Sequence, residues 1–118
     1  MASEPTFRID NLGKDVLVLT GTVNAGNAIA FVNELTSRPY RLSQDLVLDM
    51  AELFFADGIA ILITINTFRS LATRLNSLSL NYPSEPMIDG LEGNGILRDR
   101  SLNVRLLRQQ VTESEAAE

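Results

Sequence analysis

If this chain does acid–base chemistry, Asp57 is where it would start. It lies within residues 46–65, LVLDMAELFFADGIAILITI, an otherwise apolar run, with Gly58 beside it. A carboxylate in such a setting can act as a general acid, cap a helix or anchor a partner. Its place just before a helical apolar pattern favours the cap, with partner contact second and catalysis last. Asp49 and Glu52 stand three residues apart upstream. That spacing on a strand-to-loop segment builds no metal cluster and implies no substrate pocket, so both are expected in solvent. Gly90, Gly93 and Gly95 spell G-x-x-G-x-G. The spacing is not that of the dinucleotide fingerprint and the preceding strand is too far away, so a helix C-cap and turn are expected. Arg98, Arg100, Arg105 and Arg108 form a basic stretch opposed locally only by Asp99. It reads as a solvated face; the alternative is contact with an acidic partner or the chain's own tail.

The chain has 118 residues with neither Cys nor His. That removes thiol nucleophiles, disulfides, imidazole bases and the usual zinc ligands together. No catalytic residue, metal or cofactor is expected, and the chain is read as a non-enzyme. The net charge of −5 lacks the basic excess needed to hold a phosphate backbone, which argues against nucleic acid. Residues 46–65 are long enough to span a bilayer but contain Asp49, Glu52 and Asp57. Each central charge costs about 2.5–3.5 kcal/mol on insertion, so no direct membrane insertion is expected. The first residues, MASEPTFRID, lack a basic start followed by an apolar block, so no signal peptide is read and the cytoplasm is the expected compartment.

Those residues need a scaffold, and hydrophobic periodicity outlines one. Phe7 and Ile9 alternate with polar neighbours, a turn holds Gly13, and residues 16–20 are β-branched and aliphatic up to Gly21; this reads as a hairpin. Asn24 or Asn27 can cap a helix carrying Ile29, Val32 and Leu35, which Pro39 stops. Leu46, Val47 and Leu48 form an unbroken apolar run, expected to be a buried strand parallel to the second. Ile61, Ile65, Phe68, Ala72 and Leu75 make the core stripe of a long helix. Leu78, Leu80 and Tyr82 alternate as a strand, and Ser84 can cap a short helix with Met87, Ile88 and Leu91. Residues 97–111 fit either period; a helix is favoured. The fold class is therefore α/β, a mixed sheet of about four to five strands with three to four helices packed against it. Residues 1–108 are read as one domain and 109–118 as an acidic, flexible tail.

That order of elements, with the residues at its joints, resembles the STAS domain of bacterial anti-sigma factor antagonists. LTGTVNAGNA is similar to the family's strand-Gly-x-x-Asp approach to its first helix, with Asn24 where Asp is usual. LVLDMAELFFADGIAIL is similar to its central signature, and LNSLSLNYPSEPMIDGLEGNGIL to its final strand, short helix and glycine ending. The family's phosphorylated Ser falls on Gly58 counting forward from Asp49, and on Ala56 counting back from Gly58-Ile59-Ala60. No Ser, Thr or Tyr occurs from 44 to 63, so the acceptor hydroxyl is missing on either count.

The resemblance implies a non-catalytic protein–protein interaction domain in transcription regulation or signal transduction. Its partner would be a regulatory protein such as an anti-sigma factor or switch kinase; a homodimer is also allowed. The alternative is a STAS subunit of a lipid-transport ABC complex, because Ala56-Asp57-Gly58 and the aliphatics after them also resemble that group's loop. The family places its contacts around the strand-to-helix loop, which assigns partner binding to Phe54, Ala56, Asp57, Gly58 and Ile63. Adjacent side chains on an extended segment point to opposite sides; the resemblance implies Phe55 inward and Phe54 outward, the alternative being that Phe54 packs under the following helix.

Overall fold

A computed structural model of the chain describes residues 6–108. The proposed acidic tail at 109–118 lies outside the described residues. Strand β1 (Phe7–Asn11) packs Phe7 and Ile9 on the core and turns Arg8 and Asp10 to solvent. Strand β2 (Val16–Val23) pairs with it antiparallel and buries Leu17, Leu19 and Val23. Gly21, read as the end of this strand, lies inside it and pairs with Phe7.

Helix α1 (Ala28–Thr36) buries Ala28, Phe31, Val32 and Leu35, the i, i+3, i+4, i+7 set of one helical face. Ile29, read as a core position, is exposed instead. The small Ala28 holds the inward place, and Ile29 is rotated about 100° away from it. Phe31 meets Phe7 edge to face, centroids 5.2 Å apart and planes at 80°, which ties α1 to the edge strand.

Strand β3 (Asp45–Phe55) runs parallel to β2 and is much longer than its apolar start suggests. It buries Leu46, Leu48 and Met50, then Leu53. The change of phase is a bulge: Val18 pairs with Asp49, but Thr20 pairs with Glu52. The Asp49 carboxylate accepts the Ala51 N–H at 3.1 Å and holds this kink. Asp49 and Glu52 thus lie on a strand rather than a loop, and the bulge separates their roles: Glu52 is exposed.

Helix α2 (Gly58–Ala72) buries Ile65, Phe68 and Ala72 as the stripe requires, along with Ala60, Thr64 and Leu71. Strand β4 (Ser77–Asn81) follows parallel to β3. Helix α3 (Glu85–Asn94) buries Met87, Ile88 and Leu91 and ends at Gly95. Ser84 is its N-cap by backbone, but its hydroxyl makes no capping bond and is buried without a partner among the described residues. Gly90 is a packing position: a Cβ there would lie 2.8 Å from Ile65 Cδ1 and 2.9 Å from Ile61 Cγ2.

Residues 97–108 correct the helix expected over 97–111, of which 109–111 lie outside the described residues. A short 3₁₀ turn (Ile96–Arg98) leads to strand β5 (Val104–Leu107), parallel to β4. Val104 and Leu106 pack on the core while Arg105 and Leu107 face outward. β4 would otherwise leave a row of edge N–H and C=O groups unpaired. Leu78 N donates to Asn103 O at 2.9 Å and Tyr82 N to Leu107 O at 2.7 Å, which closes both ends of the added ladder.

The sheet order is β1-β2-β3-β4-β5. Each parallel crossover advances one strand in the same direction. Right-handed crossovers therefore place all three helices on one face, where α1 touches α2 and α2 touches α3. No helix among the described residues is long and apolar enough to cross a membrane.

Thr64 supplies a test of the core. It is fully buried, and its hydroxyl has no hydrogen-bond partner among the described residues. Replacing an unsatisfied buried hydroxyl by a methyl of the same shape removes a desolvation penalty. Thr64→Val should raise unfolding free energy by about 1 kcal/mol in urea titrations. A lower midpoint would mean the hydroxyl is satisfied in solution.

Candidate functional site

The loops after β2, β3 and β4 all emerge at the carboxyl end of the parallel strands, where open α/β sheets commonly form their sites. The joint between β3 and α2 is built first by backbone. Ala56 N donates to Val23 O at 2.8 Å and carries the β2–β3 ladder beyond Phe55. Asp57 then adopts an extended conformation and Oδ1 accepts from Ala60 N at 2.8 Å. This is the expected N-cap, which satisfies one of the free N–H groups of the first turn.

The other carboxylate oxygen does something the sequence does not reveal. Asp57 Oδ2 accepts from Ala25 N at 2.9 Å, across 32 positions. One side chain therefore fastens the β3–α2 joint to the β2–α1 loop. That loop is tied internally as well: Asn24 Oδ1 accepts from Gly26 N at 2.8 Å and Asn27 N at 2.9 Å. Asn27 replies through its own Oδ1, which accepts from Asn24 N at 2.8 Å, and its Nδ2 donates to Thr22 O at 3.1 Å. Asn24 and Asn27 thus shape the loop through local turns, and neither caps α1 by the side-chain bond expected of them.

The bonds from Ala60 N–H first, and Ala25 N–H second, hold the Asp57 carboxyl below its ordinary value of 3.8. A pKa lowered by folding stabilises the fold at pH above the unfolded value, and the effect is lost as pH falls through the folded value. Asp45, held down by the Ser77 and Asn76 side chains, and Asp99, held down mainly by Ser101, act in the same direction. Asp57→Ala should lower the urea midpoint at pH 7, and its gap from the parent chain should narrow at pH 3. A gap of constant size would mean that the carboxylate charge is not what Asp57 contributes.

Around the clamped loops the surface is apolar. Phe54 is 54% exposed, Ile59 60%, Leu62 56% and Ile29 57%. Phe55 packs against the core, so the two adjacent phenylalanines divide as expected. Ala56 and Gly58 are exposed and Asp57 is half-buried. A Cβ at Gly58 would meet nothing within 4 Å, so packing does not demand glycine there. Ile63 departs from the expectation of an outward contact: it is half-buried and packs on the core. Ile59 and Leu62 take the exposed places on α2. A groove of about 390 Å³ continues from Gly58 and Leu62 between α2 and α3, lined also by Ile61, Ile65, Gly90 and Gly93.

Ile29, Ile59 and Leu62 are the surface residues that sequence reasoning missed. For Ile59 and Leu62 the available signal was their displacement from the run Ile61, Ile65, Phe68, Ala72; Ile29 gave none, because it fits the stripe of its own helix. No family model matches the chain, and no curated protein matches it.

Proposed function

We propose that this protein is a STAS-like, non-catalytic docking domain of the bacterial cytoplasm that binds a regulatory protein through the clamped joint. An anti-sigma factor or switch kinase is the leading class of partner. The observation that carries this reading is the set of water-facing apolar side chains, Ile29, Phe54, Ile59 and Leu62, on the ends of α1, β3 and α2 that flank the loops fastened by the two-armed carboxylate of Asp57. Exposed aliphatics and an aromatic on a rigid support suit docking, because little order has to be gained on binding. The joint has no hydroxyl to receive a phosphate, so partner choice there is not switched by phosphorylation of Ser, Thr or Tyr. A second reading, a permanent subunit of a lipid-transport ABC complex, draws on the same feature: a surface held in one shape without modification.

Interface energy concentrates in a few aromatic or aliphatic anchors. Phe54→Ala or Leu62→Asp should weaken partner binding at least about tenfold, or about 1.4 kcal/mol. Pull-down of partners from the native host, followed by calorimetry, is the measurement. A kinase or sigma-pathway protein supports the first reading, and an ATPase with its permease the second. Normal binding by both variants would remove the joint from the interface.

A further inference from the structure

A second concavity lies at the opposite end of the sheet, between the β1–β2 turn and the connection from α1 to β3. Its volume is about 340 Å³, and Lys14, Arg38, Arg41 and Tyr40 line it over the apolar Leu17 and Leu46. Asp15 is the one carboxylate in the lining, and its Oδ1 is engaged by Gln44 Nε2 at 3.0 Å. Among the described residues, none of the three cations stands in an ion pair; the pairs present involve Arg8, Arg69 and Arg108. Arg38 Nη1 donates to Asn11 Oδ1 at 3.2 Å, while its Nε is buried with no acceptor among the described residues. Three cations outside ion pairs, against the single carboxylate of Asp15, leave an excess of positive charge at this cavity in a chain of net charge −5. An anion with several acceptor oxygens, a phosphate above all, matches guanidinium forks and an ammonium.

The rim narrows the source of that phosphate. Leu12 sits between the lining residues Asn11 and Gly13, and Leu42 follows Arg41. They are 65% and 74% exposed, the two most exposed large hydrophobic side chains among the described residues. A soluble phosphate would use the cations and leave both leucines in water. An anionic lipid surface uses both features, since the headgroup meets the cations and the leucines enter the boundary with the acyl chains. The acidity of the rest of the chain opposes approach only weakly, because salt screens charges beyond about 8 Å under physiological conditions.

We propose that this end of the molecule is a peripheral lipid-binding site, with Lys14, Arg38 and Arg41 holding the phosphate of an anionic headgroup and Leu12 and Leu42 entering the interface beside it. This is surface contact, not a span, and it leaves the Asp57 joint at the other end of the sheet free for a protein partner. The full chain should sediment with vesicles of equal phosphatidylglycerol and phosphatidylcholine at physiological salt, where the chain's own acidity is screened, and not with phosphatidylcholine alone. Arg41→Gln should lower partitioning about fivefold, the effect of one basic residue near such a surface, and Leu42→Ser should lower it as well. Both residues are exposed, so the variants keep the fold, which circular dichroism checks. Arg100→Gln removes an equal charge from an exposed position outside the pocket and should bind like the parent chain. The proposal is overturned if phosphatidylglycerol vesicles are not bound, if Arg100→Gln loses as much as Arg41→Gln, or if Leu42→Ser binds normally. It is overturned equally if glycerol 3-phosphate binds saturably while vesicles do not, since the site would then serve a soluble phosphate.

Discussion

Gly21→Ala should melt about 10 °C or more below the parent chain, a large effect for the addition of one methyl group. Two independent causes act at this position. Its φ is +104°, and its missing Cβ would stand 2.2 Å from Thr6 O and 2.8 Å from Phe7 Cα. The left-handed region costs a residue with a Cβ about 1–2 kcal/mol. The clash adds about 1–3 kcal/mol, the usual range for overpacking. Relief would require the start of β1 to move away, but Thr22 N donates to Thr6 O at 2.9 Å and Phe7 is held against Phe31. Gly13 separates the two causes. Its φ is +108°, yet a Cβ there would meet nothing within 4 Å. Gly13→Ala should therefore show the backbone cost alone, with a clearly smaller loss of Tm. Equal losses in thermal melts of the two variants would show that the edge strand yields without cost.

Gly21 also marks where sequence reading lost the chain. A glycine after five β-branched and aliphatic residues reads as a stop, whereas the strand needs it because β1 passes so close. The β3 bulge is hidden in the same way. Alternation from Leu46 to Met50 breaks at Ala51, and nothing local says whether the strand ends or shifts phase. Pairing with β2 decides it, and pairing is a long-range property. Residues 97–111 were a true tie between periods, resolved over Val104–Leu107 by the open edge of β4. In contrast, Ile65, Phe68, Ala72 and Leu75 in and after α2, and Leu78 and Leu80 in β4, declared themselves, because long regular stripes survive small errors at the ends.

The candidate site was legible to the same depth. The cap on α2 follows from Asp57 preceding an apolar helical run, and the opposed directions of Phe54 and Phe55 follow from extended geometry. The second arm of Asp57 does not, since no periodicity links position 57 with position 25. This arm matters most for a docking surface. A cap stabilises one helix, whereas the clamp fixes two loops against each other and so sets the spacing of the side chains presented by the elements that flank them.

Phe68→Ala should cost about 3–5 kcal/mol, the range for emptying an aromatic site in a core. Phe68 is fully buried and among the largest buried side chains of the molecule, on the inward face of α2, the helix between α1 and α3. Removal leaves a cavity bounded by a helix that its neighbours hold on both sides, so little collapse can refill it. For a domain with about 5–15 kcal/mol of stability, that is a major fraction. Phe54→Ala removes the same side chain from a half-exposed place at the carboxyl end of β3. Substitutions at such surfaces usually change stability by no more than about 0.5 kcal/mol, so its urea midpoint should stay near that of the parent chain. The pair divides two roles of one residue type: one phenylalanine holds α2 on the sheet, and the other is offered to a partner. Urea unfolding of both variants, with partner binding measured where each remains folded, checks the division. A large stability loss in Phe54→Ala would place that ring in the core and withdraw it from the docking surface.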